Sequence, residues 1–297
     1  MRTKILLALA ITLTLNSFGQ IPKLKEIKNL ENGNLIIGLT GNDKLDEDFK
    51  DVVEAQWKLG KITEYLPMEE ARDKAKEDDN TYALYIDSFS TKSFRHEGMN
   101  NVDYKTVSEG TCVALSDGSK KPIFRSFIPA YKGNIVSKES LVHGVNFIHQ
   151  VSEKMISENL KSAMKTLSLY EDEGKNLAQK TLYIPQGMIH EKFDKSEISE
   201  FYGSEYKVVP RSEWSNVIVS HEKDAAYVMI VPVPVGGKYM YQHHIIDAET
   251  GMIYGLLQPK AAMSLGSVTG INLSKGNTGY INKQNVKAYN KVTEGKW

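Results

Sequence analysis

Two neighbouring histidines, His243 and His244, followed by Asp247 and Glu249, bring side chains of metal-ligating type together within seven residues. Imidazole nitrogen and carboxylate oxygen are ordinary zinc donors. The alternation from Tyr239 to Ile246 reads as a strand, and adjacent side chains on a strand point to opposite faces. Only one of the two imidazoles can therefore share a face with a given acid. His243, His244 and Asp247 form a candidate metal set, without the spacing of a ready chelate. The run Asp247-Ala248-Glu249-Thr250-Gly251 also has the composition of a turn.

A second concentration lies in the polar stretch from Ser88 to Gly110, where Arg95, His96, Glu97, Asp103 and Tyr104 mix charge, hydrogen bonding and an aromatic ring. Arg95, His96, Glu97 and Tyr104 are the candidate binding residues. Other chemistries lack their spacing. His-Glu dipeptides at His96, His190 and His221 do not continue to the second histidine of a zincin helix. His143 and His149 are six apart, whereas ligands on one helix face are three or four apart. No Gly-x-Ser-x-Gly nucleophile elbow and no phosphate loop is present, so no cofactor is expected. Cys112, the only cysteine, excludes an intramolecular disulfide; its setting among Thr111, Val113 and Leu115 predicts a buried thiol.

The elements that position these residues repeat. Leu35 to Leu39 reads as a strand, and Leu45, Phe49, Val52, Val53 and Trp57 fall on one face of the helix that follows. A strand from Ile62 to Leu66, a polar helix from Met68 to about Glu77 and a strand from Tyr82 to Ile86 complete the set. The same order returns as Leu182 to Ile184, a helix marked by Ile198, Phe201 and Tyr202, Tyr206 to Val209, Trp214 to His221, and Ala226 to Val231. First strand to third strand is 47 residues in one copy (Leu35 to Tyr82) and 45 in the other (Leu182 to Tyr227). Each copy adds a hairpin, turning at Asp117-Gly118 and at Asp247 to Gly251.

The predicted fold class is α/β (α+β): two related β-α-β-α-β-β modules over residues 30–135 and 180–260, bridged by a helical segment over 137–177. A Gly-rich polar tail follows over 261–297, with a short helix expected from Asn285 to Val292. Third strand to hairpin turn takes 35 residues in the first copy (Tyr82 to Asp117) and 20 in the second (Tyr227 to Asp247). The excess is Ser88 to Gly110, a loop or an extended hairpin. Trp57 and Trp214 are expected in the core. In element order each module is similar to the small α/β domains found in tandem in cell-envelope proteins, such as the amino-terminal domain of the Tol system's periplasmic protein; no functional residue comes across with that likeness.

Residues 1–19 read as a signal peptide: basic Arg2 and Lys4, an apolar run from Ile5 to Leu15, then Ser17 and Gly19 before Gln20. The run is too short to span a bilayer, so no transmembrane anchor is expected after its removal. Losing two of the 37 basic residues and none of the 37 acidic ones leaves a formal charge of −2, which gives no pull toward nucleic acid. The expectation is a periplasmic or secreted, non-enzymatic protein that binds another envelope or secreted macromolecule. An extracytoplasmic hydrolase or metal-dependent protein, and a small-ligand sensor, are the alternatives.

Overall fold

Leu35, Ile36 and Ile37 are all buried, so the strand that carries them must be covered on both faces; a continuous apolar run is the mark of a parallel strand. The computed structural model describes residues 22–97, 102–131, 135–161, 163–235, 238–257 and 279–296. The signal segment and residues 258–278 lie outside the described residues. Among the described residues no helix is long and apolar enough to cross a membrane. The chain divides into two compact units: Met1–Ala163 with Val233–Met240, and Met164–Pro232 with Tyr241–Trp297.

The first unit runs α1 (Leu24–Ile27), β1 (Asn34–Leu39), α2 (Asp43–Gln56), β2 (Lys61–Pro67), α3 (Met68–Ala75), β3 (Thr81–Glu97), β4 (Val102–Ser116) and β5 (Phe124–Ile128). A small pair, β6 (Ala130–Tyr131) with β7 (Ile135–Val136), leads into α4 (Lys138–Ser157). The sheet order is β2-β1-β3-β4-β5, with β1 parallel to β2 and β3, and β4 antiparallel to β3 and β5. The turn from β1 into α2 is fixed by polar groups. Asn42 caps the helix by accepting from the Leu45 N–H at 3.1 Å. The buried Asp46 carboxylate accepts from the Thr40 N–H and hydroxyl, both at 2.8 Å, and from the Gly41 N–H at 2.9 Å.

Helices cover both faces of this sheet. Gly38 lets α3 approach one face: a Cβ there would lie 2.8 Å from Tyr85 Cβ and 3.2 Å from Met68 Cα. On the opposite face Gly144 of α4 lies against β4 and β5, where a Cβ would meet Ile128 Cγ2 at 2.6 Å and Val113 Cγ2 at 2.7 Å. Leu141, Val145, Ile148, Val151 and Met155 make α4 the most deeply buried helix face of the unit.

The second module runs α5 (Ala163–Glu173), a 3-10 turn over Gly174–Gln179, β8 (Thr181–Pro185), α6 (Ile198–Phe201), β9 (Tyr206–Val209), α7 (Arg211–Val219), β10 (Ala225–Val235), β11 (Lys238–Asp247), β12 (Ile253–Leu257) and α8 (Lys283–Thr293), of which Val233–Met240 belongs to the first unit. Its sheet order, β12-β11-β10-β8-β9, is the order of the first sheet read from the other end. Again the first strand, β8, is parallel to the second and third, and the fifth is antiparallel to the fourth. The internal repeat and the two-module α/β fold are thus present in the topology. Val286, Tyr289 and Val292 of α8 join Leu182, Ile184, Ala226, Val228, Ile245 and Tyr254 in one core. Trp214 of α7 meets Tyr227 on the other face, ring centroids 6.4 Å apart.

Two differences from the sequence expectation share one cause. The helical stretch after β7 is not a continuous bridge. It stops after Ser157, where Asn159 adopts φ 52° and the Leu160 and Asn159 N–H groups bond back to Met155 and Ile156 carbonyls at 2.9 and 3.2 Å. The helix α4 packs within the first unit and α5 opens the second. In the tail, α8 packs on β12: a Cβ on Gly255 would lie 2.9 Å from Val292 Cγ2. Each module therefore ends in a helix and reads β-α-β-α-β-β-α. An amphipathic helix shows in sequence that it buries a face, but not which sheet receives it.

The Gly144 contact yields a direct test. Gly144→Ala raises helix propensity yet forces a methyl against two β-branched side chains. It is expected to lower stability by about 1–3 kcal/mol in denaturant titrations. Gly187→Ala, with nothing within 4 Å of the new Cβ, is expected to change it by less than about 0.5 kcal/mol.

Candidate functional site

Strand geometry separates the two histidines of β11. His243 faces the core, where its Nδ1 lies 2.5 Å from the Tyr289 hydroxyl on α8. Burial with no compensating charge pushes its pKa down to about 4. On the other face the His244 Nε2–H donates to Gln242 Oε1 at 3.1 Å. Both imidazoles are buried.

Asp247 serves a third purpose. Its side chain, 2% exposed, accepts from the Tyr254 hydroxyl at 2.7 Å, the Thr250 N–H at 2.8 Å and the Thr250 hydroxyl at 2.9 Å. Lys180, at the entry to β8, brings its ammonium to 3.0 Å. Burial raises the carboxyl pKa, but the hydrogen bonds from Tyr254, Thr250 and Lys180 outweigh it and leave it below the ordinary aspartate range. The group closes the turn before β12, where Gly251 takes φ 73° and its N–H bonds to the Asp247 carbonyl at 3.0 Å. His243, His244 and Asp247 are thus committed to separate partners and are not brought together. Among the described residues no three His, Cys, Asp or Glu side chains gather as metal ligands.

The second candidate set lies on a β-ribbon. The stretch from Ser88 to Gly110 takes the extended-hairpin form: β3 and β4 pair continuously from Ala83↔Ser116 to Glu97↔Val102. The last β3 residue opposite β1 is Tyr85, and the last β4 residue opposite β5 is Thr111. From Ser88 outward the two strands run as a ladder of ten residue pairs, about 30 Å at the usual rise. Arg95 is registered with Tyr104, His96 with Asp103 and Glu97 with Val102, so the ladder sets two of the four candidate binding residues directly opposite each other.

The ribbon is anchored at its base. Phe89 stacks edge-on against Phe127 at 5.5 Å between centroids, and the Arg125 guanidinium lies over the Phe89 ring at 5.0 Å. Arg125 also approaches Asp87 at 3.8 Å, while Thr91 and Ser108 share a 2.8 Å hydroxyl contact across the strands. Within the same unit the Tyr239 hydroxyl donates to the Glu109 carbonyl at 2.8 Å and accepts from its N–H at 3.2 Å. Val107, two residues before Glu109 on β4, is 43% exposed. Cys112, at the foot of β4, is fully buried, and burial followed by the Asp87 charge pushes its thiol up to about 12. Such a thiol is inert as a nucleophile.

Sequence reasoning missed the Lys180–Asp247 pair because 67 positions separate its members; only the turn composition after Asp247 hinted at a structured carboxylate. No protein-family model matches this chain, and no curated protein or solved structure is significantly similar to it.

Two outcomes follow from these buried groups. Asp247→Ala leaves the Lys180 ammonium and the Tyr254 hydroxyl short of an acceptor. It is expected to cost about 3 kcal/mol by chemical denaturation at pH 7, whereas Lys180→Met, which leaves Asp247 three donors, is expected to cost about 1 kcal/mol. Because the folded pKa of Asp247 is depressed, its contribution is present at neutral pH and disappears as pH falls below the ordinary aspartate value near 4.

For His243 the folded pKa of about 4 lies below the unfolded value near 6.5, so the unfolded chain takes up the proton first and stability declines with falling pH between those values. His243→Phe is expected to remove about 2 kcal/mol of the stability loss between pH 7 and pH 5, read from urea midpoints at the two pH values.

Proposed function

We propose that this chain is an exported, non-enzymatic protein that binds another envelope or secreted macromolecule, and that the β3–β4 ribbon is the part that engages it. The observation that carries the reading is the nine-pair stretch of the β3–β4 ladder, Phe89↔Gly110 to Glu97↔Val102, that runs beyond the flanking strands β1 and β5. A two-stranded ribbon gains little stability from its own pairing, and its length exceeds what closing the sheet requires. Its strand edges offer backbone donors and acceptors to an extended partner segment, the mode of strand addition. Its sequence sets Arg95, Phe94 and Tyr104, residue types enriched at interfaces, among Lys92, Glu97, Asp103, Lys105 and Glu109. Export is supported by the basic, apolar and small-residue order of residues 1–19.

The reading is tested by joining Ser88 to Gly110 through an Asn-Gly turn in place of residues 89–109. The shortened protein is expected to keep a cooperative melt and to lose the macromolecule that the full-length protein captures from an envelope extract. Capture of the same set of molecules by both forms overturns the assignment to the ribbon.

A further inference from the structure

The face of α4 opposite α2 holds an imidazole with unusual surroundings. His149 is 4% exposed, and neither of its ring nitrogens has a hydrogen-bond partner. The indole of Trp57 meets it edge-on, centroids 5.6 Å apart and planes at 73°. Trp57 is itself the residue that ends α2: its N–H bonds to the Val53 carbonyl at 2.8 Å, and its indole N–H donates to the Leu59 carbonyl at 2.5 Å. Ring and indole together form the packing contact that seats the end of α2 on α4.

Charges around this contact are few. Two act on the imidazole: Glu153, exposed and one turn further along α4, and Lys58, next to Trp57, whose ammonium donates to the Ala55 carbonyl at 2.9 Å. Three other charged groups of α2 are engaged elsewhere. Asp51 and Asp48 lie 2.8 and 3.9 Å from Lys138 at the far end of α4, and Glu54 bonds the Tyr65 hydroxyl. The other elements packed on α4 bring Ile27 from α1, Val113 from β4 and Ile128 from β5. A neutral imidazole tolerates that setting; an imidazolium, with two N–H donors and a charge, does not. One acceptor lies within reach at the surface, the Glu153 carboxylate, at the i+4 spacing that places two side chains side by side on a helix.

We propose that His149 and Trp57 form an acid-released latch between α4 and α2, in which protonation swings the imidazole out toward Glu153 and frees the end of α2. The latch is shut at neutral pH. It opens as pH falls below the ordinary histidine value, because burial first, and Lys58 as well, oppose the charged form inside, while Glu153 favours it at the surface. Each unit of pH below that value shifts the balance between shut and open by up to tenfold. The released segment leads straight into β2, the edge strand of the first sheet, so the device controls how firmly that edge is held.

The test uses the full mature chain with Trp214→Phe and Trp297→Phe, so that Trp57 is the single indole. Its emission is followed from pH 8 to pH 4.5 alongside far-ultraviolet circular dichroism. Expected is a reversible red shift of Trp57 emission with a midpoint below pH 6.5, completed before the dichroism changes. His149→Phe is expected to abolish the shift, Glu153→Gln to move its midpoint to lower pH, and His143→Phe to leave it in place. Should His149→Phe fold poorly, His149→Gln serves the same purpose, since it is equally unable to gain a proton. A red shift that persists in either His149 variant, or one that appears only together with loss of dichroism, overturns the proposal.

Discussion

The first strand of each module is buried on both faces, and that single demand organises the rest of the protein. In the first module Leu35, Ile36 and Ile37 leave no solvent face. In the second, Leu182 and Ile184 face one core while Tyr183 is buried on the other side. A sheet of this kind requires a helix layer on each side. The second helix of a module covers one face. The first helix is too small a cover for the other, above all in the second module, where α6 is a single turn. A closing helix supplies the missing area, α4 in one copy and α8 in the other, and the close approach needs a glycine on one side of the contact: Gly144 on the helix in the first, Gly255 on the strand in the second.

That division explains what could be read from sequence. The order β-α-β-α-β-β and its spacing were legible because strand and helix periods differ and because Pro67 and Pro210 mark the ends of the second strands. The closing helices were visible as helices but not as members of modules, since Val286, Tyr289 and Val292 announce an apolar face without naming its target. His221 illustrates a subtler limit. It ends α7 in a left-handed conformation, φ 55°, with the Glu222 N–H bonded to the Val217 carbonyl at 3.1 Å, so a His-Glu dipeptide that invites thoughts of catalysis is a helix stop.

The candidate residues show the same boundary between local and tertiary information. Strand alternation alone separates His243 from His244. The hydroxyl facing one and the amide facing the other come from Tyr289, 46 positions away, and Gln242, two positions away. Only the nearer of those could have been guessed. The sequence leaves the ribbon open between loop and hairpin because serine, threonine and charged residues crowd the stretch, with no apolar alternation to follow. The ribbon's base is held by Phe89 on β3 and by Phe127 and Arg125 on β5, the two strands that flank β4 in the sheet order.

The placement of the closing helices carries a consequence for how the chain acquires its shape during synthesis. Emergence of α4 completes the helix cover of the first sheet, so most of that module can form while the second is still being made. The segment Val233–Met240, whose Tyr239 hydroxyl ties the Glu109 backbone, arrives about 75 residues later and adds a final fastening to an already formed sheet. The second module has no such head start, because three of its fully buried side chains lie on α8, the last of its helices among the described residues. Its core cannot close until α8 has been released, and in that interval its partly covered sheet is the surface most exposed to misassociation.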